Sequence, residues 1–391
     1  MSSIVISAAR VVADGTVHSP GWIEIHDERI AGVGAGLPPR RADHEFGSHT
    51  VVPGFIDMHV HGGGGYSYTD GVADEIRHGL EFHRRHGTTT SVASLVSSGP
   101  EFLLAQIDAL HDLVVRDEIA GLHLEGPWLS HHRCGAHDPD TLRDPDPAEI
   151  ARVLDAARGT ISMVTLAPEL PGALDAVEQF AAADVLVGVG HTDAGHAQVK
   201  AAIERGARVA THLFNAMRPL HHREPGPILA LLEDPRVTIE IVGDGVHVHP
   251  DLVSYVTRTA GPGRVALVTD AMAAAGMTDG SYQLGVLDVD VTDSVARVRD
   301  TGAIAGSTAT MDVLFERSAT RLTEGRGGLG AEAALLAAVA MTASTPARAL
   351  GRTDIGELAV GKRADLVVVD DGYRVERVLT RGDWLDRLHT I

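Results

Sequence analysis

Histidine and carboxylate side chains recur at the ends of short apolar segments of this chain. In the segment His59-Val60-His61 the two imidazoles can point the same way, because alternate residues of a strand face the same side. Four more such residues end or follow β-branched runs: Glu125, His191, His212 and Asp270. Imidazole and carboxylate without thiolate suit Zn²⁺, Fe²⁺, Mn²⁺ or Co²⁺, and ligand type alone does not choose among these ions. The combination predicts a metal centre.

Each of these residues alone is weak evidence. A single strand-end histidine is more often a hydrogen-bonded structural residue, and Glu125 could cap a turn, but the joint pattern is improbable by chance. Six ligands are too many for one tetrahedral catalytic ion that keeps an open position. We therefore expect two sites, one formed by His59, His61 and Asp270 and the other by His191 and His212, with Glu125 bridging them or serving the second. Two such ions would lower the pKa of a water towards about 7 and polarise a carbonyl oxygen, so that hydroxide attacks it.

Asp270 also has a position suited to proton transfer. A carboxylate beside the activated water can take its proton and then hand it to a leaving amine. Ser307 lies in Ala305-Gly306-Ser307-Thr308, which lacks the Gly-x-Ser-x-Gly pattern of a nucleophilic serine. The residues themselves therefore predict a metal-dependent hydrolase.

The elements that must position these residues follow a strand–helix alternation. Helical segments such as Asp74–His86, Glu101–Val115, Pro147–Arg158, Leu174–Ala182 and His196–Gly206 separate the strands. Eight strands are predicted: Gly54–His61, Thr88–Ser94, Gly121–Glu125, Ser162–Ala167, Leu186–His191, Arg208–His212, Thr238–Val242 and Val265–Asp270. Eight such units predict a closed (β/α)8 barrel of the TIM type, whose active site lies at the carboxyl ends of the strands. On the first helix, His83 and His86 are predicted to lie at the surface.

Both ends of the chain have a different pattern. Short alternating strands at Ile4–Arg10, Trp22–His26 and Ile30–Val33 predict a small antiparallel sheet, and Ala364–Val369 and Val375–Thr380 repeat the style. An isolated hairpin is marginal in water, so the two ends are expected to join. We therefore predict a small β-sandwich domain from residues 1–53 and 352–391, and a barrel from residues 54–351.

Composition excludes several classes of function. The chain has 53 acidic and 33 basic residues and a net charge of −20, which disfavours nucleic acid and anionic membranes as partners. No apolar run reaches the length of a membrane span, and residues 1–10 lack the pattern of a signal peptide. The single cysteine, Cys134, excludes an internal disulfide framework. A cytoplasmic enzyme is expected.

Several longer segments carry a specific resemblance. They are Pro53–Gly62 (PGFIDMHVHG), His123–Trp128 (HLEGPW), Gly190–Thr192 (GHT), Thr211–Met217 (THLFNAM), Gly243–His247 (GDGVH) and Val268–Ala271 (VTDA). The first resembles the opening strand of the amidohydrolase superfamily, and together they resemble its N-acetylglucosamine-6-phosphate deacetylase family. The match continues to the tail Gly361–Leu366 and covers essentially the whole chain in the right order.

The resemblance implies hydrolysis of the N-acetyl group of N-acetyl-D-glucosamine 6-phosphate to acetate and D-glucosamine 6-phosphate. Glu125, His191 and His212 match the metal ligands of that family, and Asp270 matches its acid/base. In Gly135-Ala136-His137, His137 matches the histidine beside the acetamide carbonyl. Positions that match substrate contacts are Ala136, His137, Asn215, the backbone of Ala216, Arg223, His247 and Ile304.

The resemblance also bears on metal count and assembly. Some members have lost the first His-x-His and work with one metal, whereas this chain keeps both histidines, so it implies two divalent ions per subunit. Zinc is favoured, with iron, manganese or cobalt as alternatives. In this family the loop that contains Arg223 is expected to reach the pocket of a neighbouring subunit in a homodimer. A guanidinium offers phosphate a planar fork, which suits Arg223 to that contact.

Two other functions stay open. One is a different amidohydrolase that acts on a cyclic amide or an N-acyl amino acid. The other is a barrel that has lost catalysis and serves as a binding protein, against which the complete ligand set argues. The sequence also leaves open whether N-acetylgalactosamine 6-phosphate is accepted.

Overall fold

A computed structural model of the protein describes residues 3–324 and 328–386. The described residues form two compact units. One contains the chain up to Asp57, Glu81–Thr90 and the part from Thr310 onward, and the other contains Met58–Leu80 and Ser91–Ala309. Each unit combines segments that are distant in the chain. The domain boundaries at residues 53/54 and 351/352 therefore stay a prediction.

The elements are numbered along the chain. The strands are β1 Ser3–Ala13, β2 Thr16–His18, β3 Gly21–His26, β4 Arg29–Ala35, β5 His44–Pro53, β6 Phe55–Val60, β7 Gly62–Gly63, β8 Tyr66–Ser67, β9 Thr88–Leu95, β10 Leu122–Glu125, β11 Ile161–Leu166, β12 Leu186–Val189, β13 Ala207–Ala210, β14 Thr238–Val242, β15 Val265–Val268, β16 Gly280–Leu284, β17 Leu287–Thr292, β18 Val295–Val298, β19 Leu366–Val369, β20 Val375–Thr380 and β21 Asp383–Trp384. The α-helices are α1 Ala73–Arg85, α2 Pro100–Val115, α3 Pro147–Ala157, α4 Ala173–Ala182, α5 His196–Arg205, α6 Gly226–Glu233, α7 Pro250–Ala260, α8 Met311–Arg321, α9 Ala331–Val339 and α10 Thr345–Ala349, with a π-helical turn at Ala340–Ser344 between the last two.

The predicted barrel is confirmed. Its eight strands lie side by side in chain order: β6, β9, β10, β11, β12, β13, β14 and β15. Two backbone hydrogen bonds join the segment after the last strand to the end of the first: Asp270 N donates to His59 O at 2.9 Å, and His61 N donates to Ala271 O at 2.8 Å. Every residue of β6 and β9 is buried, as expected for parallel strands covered on both faces. The helices predicted between the strands are also confirmed.

Local sequence explains where these helices begin and which face they bury. Helix α3 begins at Pro147 and is capped by Asp146, whose carboxylate accepts from Ala148 N and Glu149 N. In α1, the surface position predicted for His83 is wrong, since only 1 % of it is exposed. It follows buried Ile76 and Leu80 at helical spacing, so it lies on the same inward face.

Both termini contribute to one eight-stranded sheet, in the order β21-β20-β19-β5-β1-β3-β4 with β2 paired to β1. The sheet curves back on itself, because Ile30 N donates to Lys362 O at 2.9 Å and Ala364 N donates to Glu28 O at 2.8 Å. Residues of separated strands, such as Ile23 and Leu366, share one core, which confirms the sandwich. The sheet is not purely antiparallel as predicted, since β1 and β5 pair in parallel.

A three-stranded antiparallel sheet, β16-β17-β18, follows the last barrel strand and was not predicted. We call it the insertion sheet. Its Leu284, Val289 and Val298 share a hydrophobic core with Val96 and Met272. The insertion sheet therefore packs against the segments that follow β9 and β15. Within the part of the chain that the structure describes, no helix has the length and apolar character needed to cross a membrane.

Candidate metal centre

Two groups of ligand side chains meet at the carboxyl ends of the barrel strands. We call His59, His61 and Asp270 the first triad, and Glu125, His191 and His212 the second triad. In each triad the ligand atoms lie within 4.8 Å of one another, and all six residues are buried. The structure thus brings together the six residues in the partition expected from the sequence. Their role as ligands stays a prediction.

Glu125 lies between the two triads. Its Oε1 is 3.1 Å from His191 Nε2 and 2.9 Å from His212 Nε2. Its other oxygen, Oε2, is 3.1 Å from His61 Nε2 in the first triad. Oε1 also lies 3.5 Å from His59 Nε2, so the carboxylate contacts histidines of both triads, as a bridging ligand requires.

Hydrogen bonds fix the proton position of three histidines. His61 Nδ1 lies 3.1 Å from Ser94 O and His191 Nδ1 lies 3.0 Å from Arg133 O, and a carbonyl oxygen can only accept. His59 Nδ1 lies 3.2 Å from a carboxylate oxygen of Glu240. Each neutral ring therefore carries its proton on Nδ1 and turns the lone pair of Nε2 towards the triads. This arrangement is common for metal-ligating histidines.

The nitrogen atoms within each triad are close enough to share a cation. The distance between His59 Nε2 and His61 Nε2 is 3.1 Å, and that between His191 Nε2 and His212 Nε2 is 3.0 Å. A metal ion shared by the two nitrogens of each pair would accept both of their lone pairs. The donor set therefore fits divalent metal.

Carboxylates dominate the electrostatics of the site. Burial alone would lower the pKa of His59, but Glu125, Asp270 and Glu240 together raise that pKa well above its usual value. Burial would raise the pKa of Asp270, but His59 and His61 lower it to about 2. The pKa of Glu125 is also held well below its usual range by histidines, against the effect of burial. The carboxylates of the site thus favour positive charge among them.

Three of the six residues adopt left-handed backbone conformations. His191 has φ 46°, His212 has φ 29° and Asp270 has φ 49°. Each lies two residues beyond the end of its strand, at Val189, Ala210 and Val268. Residues other than glycine rarely adopt such backbone angles, because each costs on the order of 1–3 kcal/mol. Residues that do adopt them cluster at functional sites. The turns aim these side chains at the centre of the barrel mouth.

His137 presents a donor to the same centre. The backbone N–H of Ser97 donates to His137 Nδ1 at 3.2 Å, so Nδ1 carries no proton. Burial lowers the pKa of His137 to about 4, which keeps the ring neutral near pH 7. Its proton therefore lies on Nε2, 3.4 Å from Glu125 Oε2. This tautomer suits the predicted donation to a carbonyl oxygen.

A cavity of about 350 Å³ opens above the triads. Predicted substrate contacts that line it are Ala136, His137, Asn215, Ala216, His247 and Ile304. Arg223 does not line it: this residue is exposed, and its Nη1 lies 2.8 Å from His222 Nε2. The structure therefore places every predicted contact except Arg223 at one cavity of this chain.

The sequence analysis missed several polar residues around the site. Glu240 is fully buried beside His59, and Asp244 Oδ2 lies 2.7 Å from His247 Nδ1. Under the triads, Ser94 Oγ lies 2.9 Å from His123 Nδ1, and His123 Nε2 lies 2.9 Å from Thr165 Oγ1. A carboxylate inside the apolar run of β14 was a usable signal for Glu240, because buried charges need partners.

The chain is similar to known proteins over nearly its whole length. The model of the Amidohydrolase family matches residues 50–385. An N-acetylgalactosamine-6-phosphate deacetylase of Escherichia coli O157:H7 is 35% identical over 370 residues, which cover 93% of this chain and 95% of that protein. An N-acetylglucosamine-6-phosphate deacetylase of Vibrio furnissii is 36% identical over 337 residues, which cover 85% and 82%.

Solved structures give the same picture. A mutant N-acetyl-D-glucosamine-6-phosphate deacetylase of Mycobacterium smegmatis, in complex with N-acetyl-D-glucosamine 6-phosphate, is 52% identical. It superposes with a TM-score of 0.95 over 98% of this chain and 99% of that one. A second structure of the M. smegmatis enzyme is 50% identical with a TM-score of 0.94.

Proposed function

Because the chain belongs to the amidohydrolase family, we propose that it removes the N-acetyl group of N-acetyl-D-glucosamine 6-phosphate. Water adds its oxygen to the acetyl carbon, the C–N bond breaks, and acetate and D-glucosamine 6-phosphate are released. The observation that carries the proposal is the pair of triads joined by Glu125, beneath a cavity that His137 faces. A relative with 52% identity binds this phosphosugar, which supports the choice of substrate.

We propose that each triad holds one divalent ion. Three carboxylates surround the site, those of Glu125, Asp270 and Glu240, and two divalent cations would offset their charge. Bound cations would lower the pKa of a water and polarise the acetyl carbonyl. The nitrogen and oxygen donors suit zinc, iron, manganese or cobalt, and zinc is the first ion to test.

We propose that Asp270 moves the proton of the reaction. Its pKa of about 2 keeps it ionised at neutral pH, so it can accept a proton from the attacking water. It then donates that proton to the leaving amine. His137, through Nε2–H, donates to the carbonyl oxygen as negative charge develops there.

Binding of the sugar and phosphate is assigned to the rest of the cavity. Asn215, the backbone of Ala216, His247, Ala136 and Ile304 line it and can contact the hexose or its phosphate. Arg223 lies away from the cavity in its own chain, which supports the proposal that it serves the site of a neighbouring subunit in a homodimer. A cytoplasmic location stays a prediction.

The direct test is acetate release by protein loaded with zinc. The substrates are N-acetylglucosamine 6-phosphate, the sugar without phosphate, and N-acetylgalactosamine 6-phosphate. We expect N-acetylglucosamine 6-phosphate to have the highest kcat/KM. Equal turnover with and without phosphate would overturn the phosphosugar assignment and leave the hydrolase assignment standing.

The assay with N-acetylgalactosamine 6-phosphate tests a second candidate function, deacetylation of that epimer. A relative with 35% identity over most of the chain is an N-acetylgalactosamine-6-phosphate deacetylase, which favours including that epimer. A higher kcat/KM for it would reassign the substrate. If no phosphosugar is hydrolysed, a cyclic amide and an N-acyl amino acid are the next substrates to assay. No turnover of any of these would favour a binding protein without catalysis.

A further inference from the structure

Glu240 is a buried carboxylate that the proposed chemistry does not use. It lies in β14, in the run Thr238-Ile239-Glu240-Ile241-Val242, and none of its surface is exposed. An ionised carboxylate without partners is costly at such a position. Its Oε1 has no hydrogen-bond partner among the described residues, so its contacts through Oε2 must compensate for burial.

Glu240 Oε2 contacts one residue of each triad. His59 Nδ1 of the first triad lies 3.2 Å away. The backbone N–H of His212, in the second triad, donates to the same oxygen at 3.2 Å. Glu125 contacts both triads on the side that faces the cavity. Glu240, which does not line the cavity, contacts both triads from the barrel interior.

Each contact restricts one ligand. The contact with His59 keeps the proton on Nδ1, so that Nε2 offers its lone pair to the first triad. The contact with His212 holds the backbone at its strained φ of 29°, which sets where that imidazole points. The negative charge of Glu240, on the far side of the His59 ring from the triad, also makes Nε2 of that ring a stronger electron donor.

We propose that Glu240 is a positioning residue that sets the metal affinity of both triads, and most strongly that of the first. The inference rests on the proposed function only in taking the triads as metal sites. Its charge acts on the first triad through the His59 ring, whereas its role at His212 needs only an acceptor. Removing the charge and removing the acceptor are therefore expected to have different effects.

The experiment compares E240Q with E240L. Each protein is stripped of metal, reloaded with Zn²⁺, and titrated with a competing chelator while bound zinc is counted by elemental analysis. In E240Q the amide oxygen can still accept from His212 N, but the charge is lost. We therefore expect the ion of the first triad to bind roughly 10–100-fold more weakly and the ion of the second triad to bind normally. In E240L we expect both ions to bind more weakly.

The matched control is T165V. Thr165 is also buried in the barrel interior, but its hydroxyl bonds to His123 and Thr211 and not to either triad. We expect T165V to retain the zinc affinities of the unmodified protein. A Co²⁺ spectrum gives a second readout, since a change in the first site alters its visible bands and a general loss of stability does not.

Wild-type zinc affinities and an unchanged Co²⁺ spectrum in E240Q would overturn the proposal. The same result in E240L would overturn the role at His212. If E240L does not fold, E240Q decides alone, because Gln matches Glu in size. The measurement uses no substrate, so failure of the deacetylase assignment, seen as no acetate release by the unmodified protein, is a separate outcome.

Discussion

Asp270 is the residue whose chemistry depends most on its surroundings. It contacts both histidines of the first triad, with Oδ1 3.6 Å from His59 Nε2 and 3.4 Å from His61 Nε2. These neighbours keep it ionised, so replacing it by Asn removes a proton acceptor with little change of shape. We expect D270N to lower kcat by roughly 10²–10⁴-fold, the contribution typical of general acid–base catalysis. Acetate release at saturating substrate measures it.

Metal loss must be separated from this effect. Zinc is counted in D270N, and binding of the phosphosugar is measured by calorimetry, where we expect substrate affinity to persist. A D270N protein with normal zinc content and near-normal kcat would remove Asp270 from the mechanism.

His247 and Asp244 predict a pH dependence. Burial lowers the pKa of His247, but the Asp244 carboxylate outweighs it and raises that pKa above the usual value. Imidazolium therefore persists to a higher pH than in a free histidine, and KM for an anionic substrate should rise as pH increases through the raised pKa. In D244N, His247 loses its proton at lower pH, so we expect the rise in KM to begin at lower pH. Measuring KM between pH 6 and 9 checks this.

The exposed carboxylate of Asp251 provides the control for that profile. D251N, also close to His247 in sequence, should leave the dependence of KM on pH unchanged. Identical profiles for D244N and the unmodified protein would show that His247 does not contact the anionic group.

At this scale the sequence predicted the six triad residues because strand periodicity and strand ends indicate which side chains face the barrel mouth. It missed Glu240 because periodicity does not show which partners a buried carboxylate finds. It also did not predict the tautomer of His137, which depends on the backbone N–H of Ser97. Such contacts join residues distant in sequence.

The insertion sheet is the element that shapes one side of the cavity. Its Leu284 lines the cavity together with Val96 and Ala136, and Ala136 precedes His137 in the chain. If His137 donates to the acetyl oxygen, the acetyl methyl lies near this apolar wall. The wall would then limit the length of the acyl group.

We expect L284A to shift selectivity towards longer acyl groups. The smaller side chain leaves room for an added methylene, which is worth roughly 10–200-fold in a hydrophobic pocket. The ratio of kcat/KM for the N-propionyl and N-acetyl phosphosugars should rise by roughly tenfold. V286A, two residues away at a position that is 76% exposed, should leave the ratio unchanged. Equal losses for both substrates in L284A would place the acyl group elsewhere.

The barrel strands were predicted well because apolar segments separated by helical segments have few alternative readings. The insertion sheet was missed although Tyr282, Leu284, Val289, Val291, Ala296 and Val298 alternate with polar residues. The pairing of β1 with β5 was also missed, since parallel pairing depends on a connection that sequence periodicity does not describe.

The position of Arg223 bears on whether two chains together form each active site of the molecule. This residue lies on the exposed segment before α6, and the cavity of its own chain is lined without it. An arginine that binds phosphate only from a neighbouring subunit makes each active site depend on two chains. A closed twofold dimer would supply one such residue to each site.

Mixing two defective variants tests this dependence. R223A should have a strongly raised KM for the phosphosugar, and D270N should have almost no turnover. In a hybrid dimer, the chain with intact Asp270 receives Arg223 from its partner, so one complete site forms. After unfolding and refolding an equal mixture, we expect roughly a quarter of the wild-type activity at low substrate concentration, because half of the dimers are hybrids with one complete site. Activity no greater than the sum of the two variants would show that Arg223 serves its own chain or does not contact phosphate.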